Sequence, residues 1–164
     1  MTFIIKIFGA VAICVFALRL LRGYKRYLEK RKAECEGFIL VIEAVRDGVD
    51  YFLSPLKRIF ERFCEGDSPL ARISKRICGG ESPKTAFESE KDGLHIGESG
   101  KDILSGFFSS LGRGYKDGAV SMSEACKKKF EKYSAERERE DEKNARLATT
   151  LVVGGALAVI ILFI

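Results

Sequence analysis

Histidine is almost missing from these 164 residues: His95 stands alone. A chain with one imidazole has little material for a histidine-based metal centre. Zinc sites usually bring paired ligands two to four residues apart, whereas Cys64, Cys78 and His95 are separated by 14 and 17 positions. No metal ligands are assigned, and no cofactor is expected. The five cysteines are an odd number with no close pair in sequence. They are expected to be reduced thiols, with Cys14 in a membrane segment and the others acting as small apolar fillers. A phosphate loop is missing too. The stretch HIGESGKD would need glycine at His95 and serine or threonine at Asp102 to match that pattern. With no paired-carboxylate signature either, no catalytic residues are assigned and the chain is not expected to be an enzyme.

A basic excess is present but misplaced for nucleic acid. The net charge is +5, yet residues 33–146 hold 20 Lys and Arg against 22 Asp and Glu. The excess lies beside the first apolar run, where cations meet anionic headgroups. No basic stripe interleaved with aromatics remains for phosphates, which argues against a nucleic-acid partner.

What is present begins at the ends. Phe3–Leu18 is apolar except for Lys6, and Leu147–Ile164 carries no charge. At about 1.5 Å per residue, these runs reach roughly 24 and 27 Å as helices, near the thickness of a bilayer core. Both are expected to span a membrane. Arg19, Arg22, Lys25, Arg26, Lys30, Arg31 and Lys32 follow the first run, and Lys143 and Arg146 precede the second. Cations after the first run are the wrong order for a cleaved signal peptide and hold the middle of the chain in the cytoplasm. The expected organisation is transmembrane helix 1 over 1–21, a cytosolic helical bundle with juxtamembrane helices over 22–146, and transmembrane helix 2 over 147–164. Both termini are then outside. Arg19, Arg22, Lys25, Arg26 and Arg146 are the expected membrane-interface residues. Gly154, Gly155 and Ala158 are expected to pack helices in the membrane, where small residues permit close approach, with Gly9 and Ala12 as a matching surface on the first span.

The interior reads as helix throughout. Phe38, Ile42, Val45, Val49 and Phe52 follow one helical face, predicting a helix from about Arg31 to Leu53. All three prolines follow serine: Ser54-Pro55, Ser68-Pro69 and Ser82-Pro83. Serine caps a helix N-terminus, and proline fits the next position because its missing N–H has no intrahelical partner there. Three short helices are predicted, with Gly66 and Gly79-Gly80 as stops. Residues 91–100 form a polar, glycine-rich connection. Ser99 is expected to cap the next helix, which carries Ile103, Leu104, Phe107, Phe108 and Leu111. From near Lys116 a last helix runs unbroken into the second apolar run, through a solvated charged stretch at Glu136–Asn144.

Several short motifs, taken in order and spacing, resemble one family along nearly the full length. They are Lys6-x-x-Gly9-Ala10 at the front, Tyr51 with Ser54-Pro55-Leu56, Ser82-x-x-x-Ala86-Phe87, Phe107 with Leu111-Gly112, and Gly154-Gly155 in the closing apolar run. The chain resembles stage III sporulation protein AB, and more distantly the cytoplasmic domains of type II secretion F proteins. Phe87 stands where that pattern has tryptophan. Phe108 stands where it has glycine, and Gly48 where it has an acid.

The resemblance implies an all-α fold, two terminal transmembrane helices flanking a secretion F-like cytosolic bundle. It implies a non-enzymatic platform subunit of the mother cell–forespore channel, in the mother-cell membrane facing the forespore. Its partners would be the bilayer and other subunits of the stage III sporulation complex, including a cytosolic ATPase; a homo-oligomer is left open. Tyr51, Pro55, Leu56, Gly93, His95, Leu111 and Gly112 are the expected partner-binding residues. The connection 91–100 is expected at the end of the bundle away from the membrane. The competing reading is a membrane-tethered helical adaptor or scaffold unrelated to sporulation. Companion ATPase and channel genes nearby in the genome would separate the two.

Overall fold

The computed structural model describes residues 2–50, 56–111 and 116–163; the side chains of 2–8, 49–50, 116–119 and 162–163 also lie outside the description. Every described element is helical. They are α1 (Thr2–Asp50), α2 (Leu56–Phe60) with a 3-10 turn at Glu61–Phe63, α3 (Pro69–Cys78), α4 (Pro83–Glu90), a 3-10 turn at Lys91–Gly93, α5 (Glu98–Ser110) and α6 (Lys116–Phe163). The chain divides into two compact units: Lys30–Glu136, and Met1–Glu29 with Arg137–Ile164. The helix expected from Arg31 is therefore part of α1, and the last helix is continuous as expected.

The 30–136 unit is a helical bundle with one aromatic core. One stripe of α1, comprising Cys35, Phe38, Val41, Ile42 and Val45, is buried against α2–α5 and the early turns of α6. Phe38 is its hub. Its ring meets Phe87, Phe108 and Phe130 edge-on, at centroid distances of 6.4, 6.3 and 6.4 Å. Such perpendicular contacts set the positive edge of one ring against the negative face of another. Phe87 and Phe108 stack at 4.9 Å with planes 12° apart. Phe87 and Phe108, two of the three positions noted above as departures, thus meet in one contact. Phe38, Val45, Ile59, Ile73 and Phe107 are buried in the core, and Phe63 and Leu111 pack partly buried at its margin.

The serine–proline punctuation holds in both blocks that are described. Ser68 Oγ accepts from the Ala71 N–H at 3.1 Å, and Ser82 Oγ from the Thr85 N–H at 3.2 Å. Proline occupies the first turn in each case. Each such cap contributes about 1 kcal/mol. Gly66 and Gly80 end the first two blocks at φ +85° and +101°, a conformation that costs an L side chain strain. Ser54-Pro55 lies outside the described residues.

One local expectation changes. The cap of α5 is Gly97, with no side-chain bond, and Ser99 sits inside the first turn. The polar side chain proposed for the cap is displaced because the Gly97 N–H donates to the Tyr133 hydroxyl at 2.8 Å. Gly48 lowers the intrinsic helix propensity of α1, but a Cβ there would stand 2.5 Å from Ile59 Cδ1. The missing side chain is what lets α2 lie against α1.

The other unit is simple. Of α1 it holds the stretch up to Glu29, and of α6 the stretch from Arg137. Within α6, Val120–Ile161 contains a window long and apolar enough to cross a membrane, with mean hydropathy 1.7 and none of it buried. Leu147, Leu151, Leu157 and Ile161 are all more than half exposed. The charged stretch Glu136–Asn144 is mostly exposed and carries an Arg137–Glu140 ion pair at 2.7 Å. The first expected span falls partly on side chains outside the description.

Candidate functional site

The connection 91–100 is the most heavily tied part of the bundle. Leu94 and Ile96 are buried on either side of His95. The Glu34 carboxylate, 8 % exposed, accepts from the His95 backbone N–H at 2.7 Å and lies 2.6 Å from His95 Nδ1. Two residues on, Gly97 is held by Tyr133. Gly100 then passes so close to that ring that a Cβ would stand 2.6 Å from Tyr133 Cε1. Glu34 lies four residues after the unit's start at Lys30, and Tyr133 three before its end at Glu136. The connection therefore sits where α1 enters the bundle and α6 leaves it, not at the far end expected from sequence. Its polar composition hid two apolar anchors, and the Leu94-x-Ile96 spacing was the available signal.

A charge network braces the same segment from the α3 side. Arg72 Nε donates to Glu90 Oε2 at 2.7 Å, and Arg76 Nε to Glu90 Oε1 at 3.2 Å. The hydrogen bond from Arg72 is the main reason the Glu90 carboxyl is held below its ordinary range. Glu88 is lowered likewise, by Lys91 and then by the Ser105 hydroxyl at 2.8 Å. A carboxyl lowered by folding stabilises the fold above its unfolded pKa of about 4.3, and that contribution disappears as pH falls through the lower folded value. Glu90→Gln is therefore expected to melt below the parent at pH 7 and to converge with it in strong acid. Parallel melts from pH 7 to 3 test this; a gap that does not narrow as pH falls would refute the charge assignment.

The opposite end of the bundle holds the C-terminal turn of α1, α2, and the end of α5. Leu56 and Leu111, both partly buried against the core, mark it. Tyr51, Pro55 and Gly112, expected beside them, lie outside the described residues. Gly93 is exposed on the 3-10 turn and His95 is half-buried, so the four described partner residues do not form one patch: Gly93 and His95 lie apart from Leu56 and Leu111.

The membrane-directed residues are all on surface. Arg19, Arg22, Lys25 and Arg26 are exposed along α1, and Arg146 along α6. Gly154, Gly155 and Ala158 are exposed, and a Cβ at Gly9, Gly154 or Gly155 would meet nothing within 4 Å. Among the described residues no close glycine contact joins the two spans, which leaves the packing on a partner that the same expectation allows.

Sequence reasoning missed one juxtaposition altogether. Cys64 and Cys78 face each other with Sγ atoms 3.6 Å apart, both half-buried. Only Cys35 and Cys126 are buried in the manner of fillers. Among the described residues no group of three or more His, Cys, Asp or Glu stands together as a metal site would need; His95 is engaged with Glu34.

No curated protein and no solved structure matches the chain. A family model does: that of stage III sporulation protein AB, over residues 6–164. With nearly its whole length covered, in the order its motifs predict, the chain belongs to the stage III sporulation protein AB family.

Proposed function

We propose that this chain is a non-enzymatic membrane platform subunit of the channel between mother cell and forespore, within a secretion-like assembly that engages a cytosolic ATPase. Family membership gives it a role in stage III of sporulation. The observation that carries the platform reading is α6 itself. One helix supplies Cys126, Phe130 and Tyr133 to a packed core and then an apolar stretch of membrane length, with no part of that stretch buried. In this reading both termini are outside the cytoplasm, α1 makes a second crossing, and the exposed cations of α1 lie at the inner headgroups.

The open face at Gly154, Gly155 and Ala158 supports packing against another subunit or another copy of the chain. Gly155→Leu fills that face without adding a polar group. It is expected to insert normally and to lose co-purification with the rest of the complex. Full assembly in that variant would rule the glycine face out, and a cytoplasmic signal from a reporter fused after Ile164 would overturn the topology.

For the ATPase, the bundle end with Leu56 and Leu111 is the better surface. Deleting Gly93–Glu98 would remove two buried anchors and test folding more than binding. Lys57 and Arg58 are exposed on α2 beside Leu56. Reversing both to glutamate is expected to abolish ATPase capture with helix content unchanged. Undiminished capture would favour the adaptor reading or a contact elsewhere.

A further inference from the structure

Cys64 follows the 3-10 turn after α2, and Cys78 is the last residue of α3. Both thiols lie along α2. Cys64 Sγ reaches the Phe60 carbonyl at 3.4 Å, and Cys78 Sγ the Lys57 carbonyl at 3.6 Å. Their mutual separation of 3.6 Å is a contact, not a bond. Closing it to the roughly 2 Å of a disulfide requires a small rotation at two element ends. Each end is followed by a turn rather than by more helix: Gly66 after one, Gly79 and Gly80 after the other. Both cysteines are only half-buried, so a small solute reaches both.

We propose that Cys64 and Cys78 form a dithiol site that closes to an intramolecular disulfide on reaction with a low-molecular-weight disulfide. The inference stands independently of the channel reading. Cys64, as thiolate, attacks one sulfur of the small disulfide; the S–S bond breaks and one small thiolate leaves. Cys64 now carries a mixed disulfide. Cys78 gives up its proton, attacks the Cys64 sulfur and expels the second small thiolate. Two electrons pass from the protein to the small disulfide, and the two protons of the cysteines end on the two released thiols. The order of attack follows from the surroundings. Burial, and then the hydrogen bond with Cys64, push the Cys78 thiol up to about 11. Cys78 is therefore held as a thiol and acts second, on a sulfur already in contact. The product ties the end of α2 to the end of α3 and closes the Ser68-Pro69 turn into a covalent loop.

The full chain in detergent, fully reduced, is treated with oxidised glutathione; free thiols are then blocked and the protein digested for mass spectrometry. The expected result is one dominant cross-linked peptide joining Cys64 to Cys78, the loss of two free thiols, a higher melting temperature, and reversal of all three by dithiothreitol. Cys78→Ser is expected to trap glutathione on Cys64, since nothing remains to expel it. In the parent that adduct should not accumulate. Stable glutathione on both cysteines of the parent would overturn the proposal. So would reaction confined to Cys14, which is exposed, while Cys64 and Cys78 stay reduced.

Discussion

Phe38→Ala is expected to dismantle the 30–136 bundle while leaving the membrane-length helix of α6 intact. Removing a buried phenylalanine side chain generally costs about 3–5 kcal/mol, because the lost transfer energy is joined by the cavity left behind. Phe38 is 1 % exposed and its ring is the shared neighbour of Phe87, Phe108 and Phe130. Those three come from α4, α5 and α6, so no single helix can shift to refill the space. Against a total stability of roughly 5–15 kcal/mol for a domain, the loss is a large share. Amide hydrogen exchange on the full chain measures it directly. Protection should fall across α3–α5 together. Parent-like protection in the variant would mean that the core does not depend on this ring.

Gly100→Ala is the second large effect, and its sign is the informative part. Alanine ordinarily favours a helix over glycine by about 0.5–1 kcal/mol. Here the new Cβ would stand 2.6 and 2.8 Å from Cε1 and Cζ of Tyr133, a rigid ring and not the loose end of a flexible chain. Overpacking of that kind costs about 1–3 kcal/mol. If the ring swings away, its hydroxyl also leaves the Gly97 N–H, and a lost hydrogen bond adds about 1 kcal/mol. Gly100→Ala is thus expected to destabilise the parent and to become neutral or stabilising when Tyr133 is also alanine. A double-mutant cycle by urea unfolding reads the coupling. Stabilisation by Gly100→Ala with Tyr133 present would show that Gly100 and the Tyr133 ring are not in close contact.

Local chemistry made much of the fold legible before any coordinates. Serine before proline named two of the described helix starts, and Gly66 and Gly79-Gly80 named the stops. The stripe through Phe38, Ile42 and Val45 located the buried face of α1, and the run without glycine or proline from Val120 to Val152 foretold a single long helix. What stayed hidden depended on contacts distant in sequence. Glu34 and His95 are 61 residues apart, and neither carries a periodic signature of the contact. Cys64 and Cys78 repeat every 14 residues because they end two similar helices, but only the way α3 folds back on α2 turns that repeat into a 3.6 Å contact. The connection 91–100 was legible as polar and glycine-rich, and its position was misjudged because glycine at Gly100 serves proximity to Tyr133, not freedom. Of the expected partner surface, Leu56 and Leu111 share one end of the bundle and His95 does not.

The stack of Phe87 on Phe108 carries a consequence for how the two helices can vary. The rings lie 4.9 Å apart with planes 12° apart, and both are fully buried. A close-packed interior has no room to absorb a change of volume at one of them, so a larger ring at Phe87 overfills the site and a smaller side chain at Phe108 leaves a void. The two positions are therefore an epistatic unit: paired substitutions that conserve their joint volume should be accepted where either change alone is not.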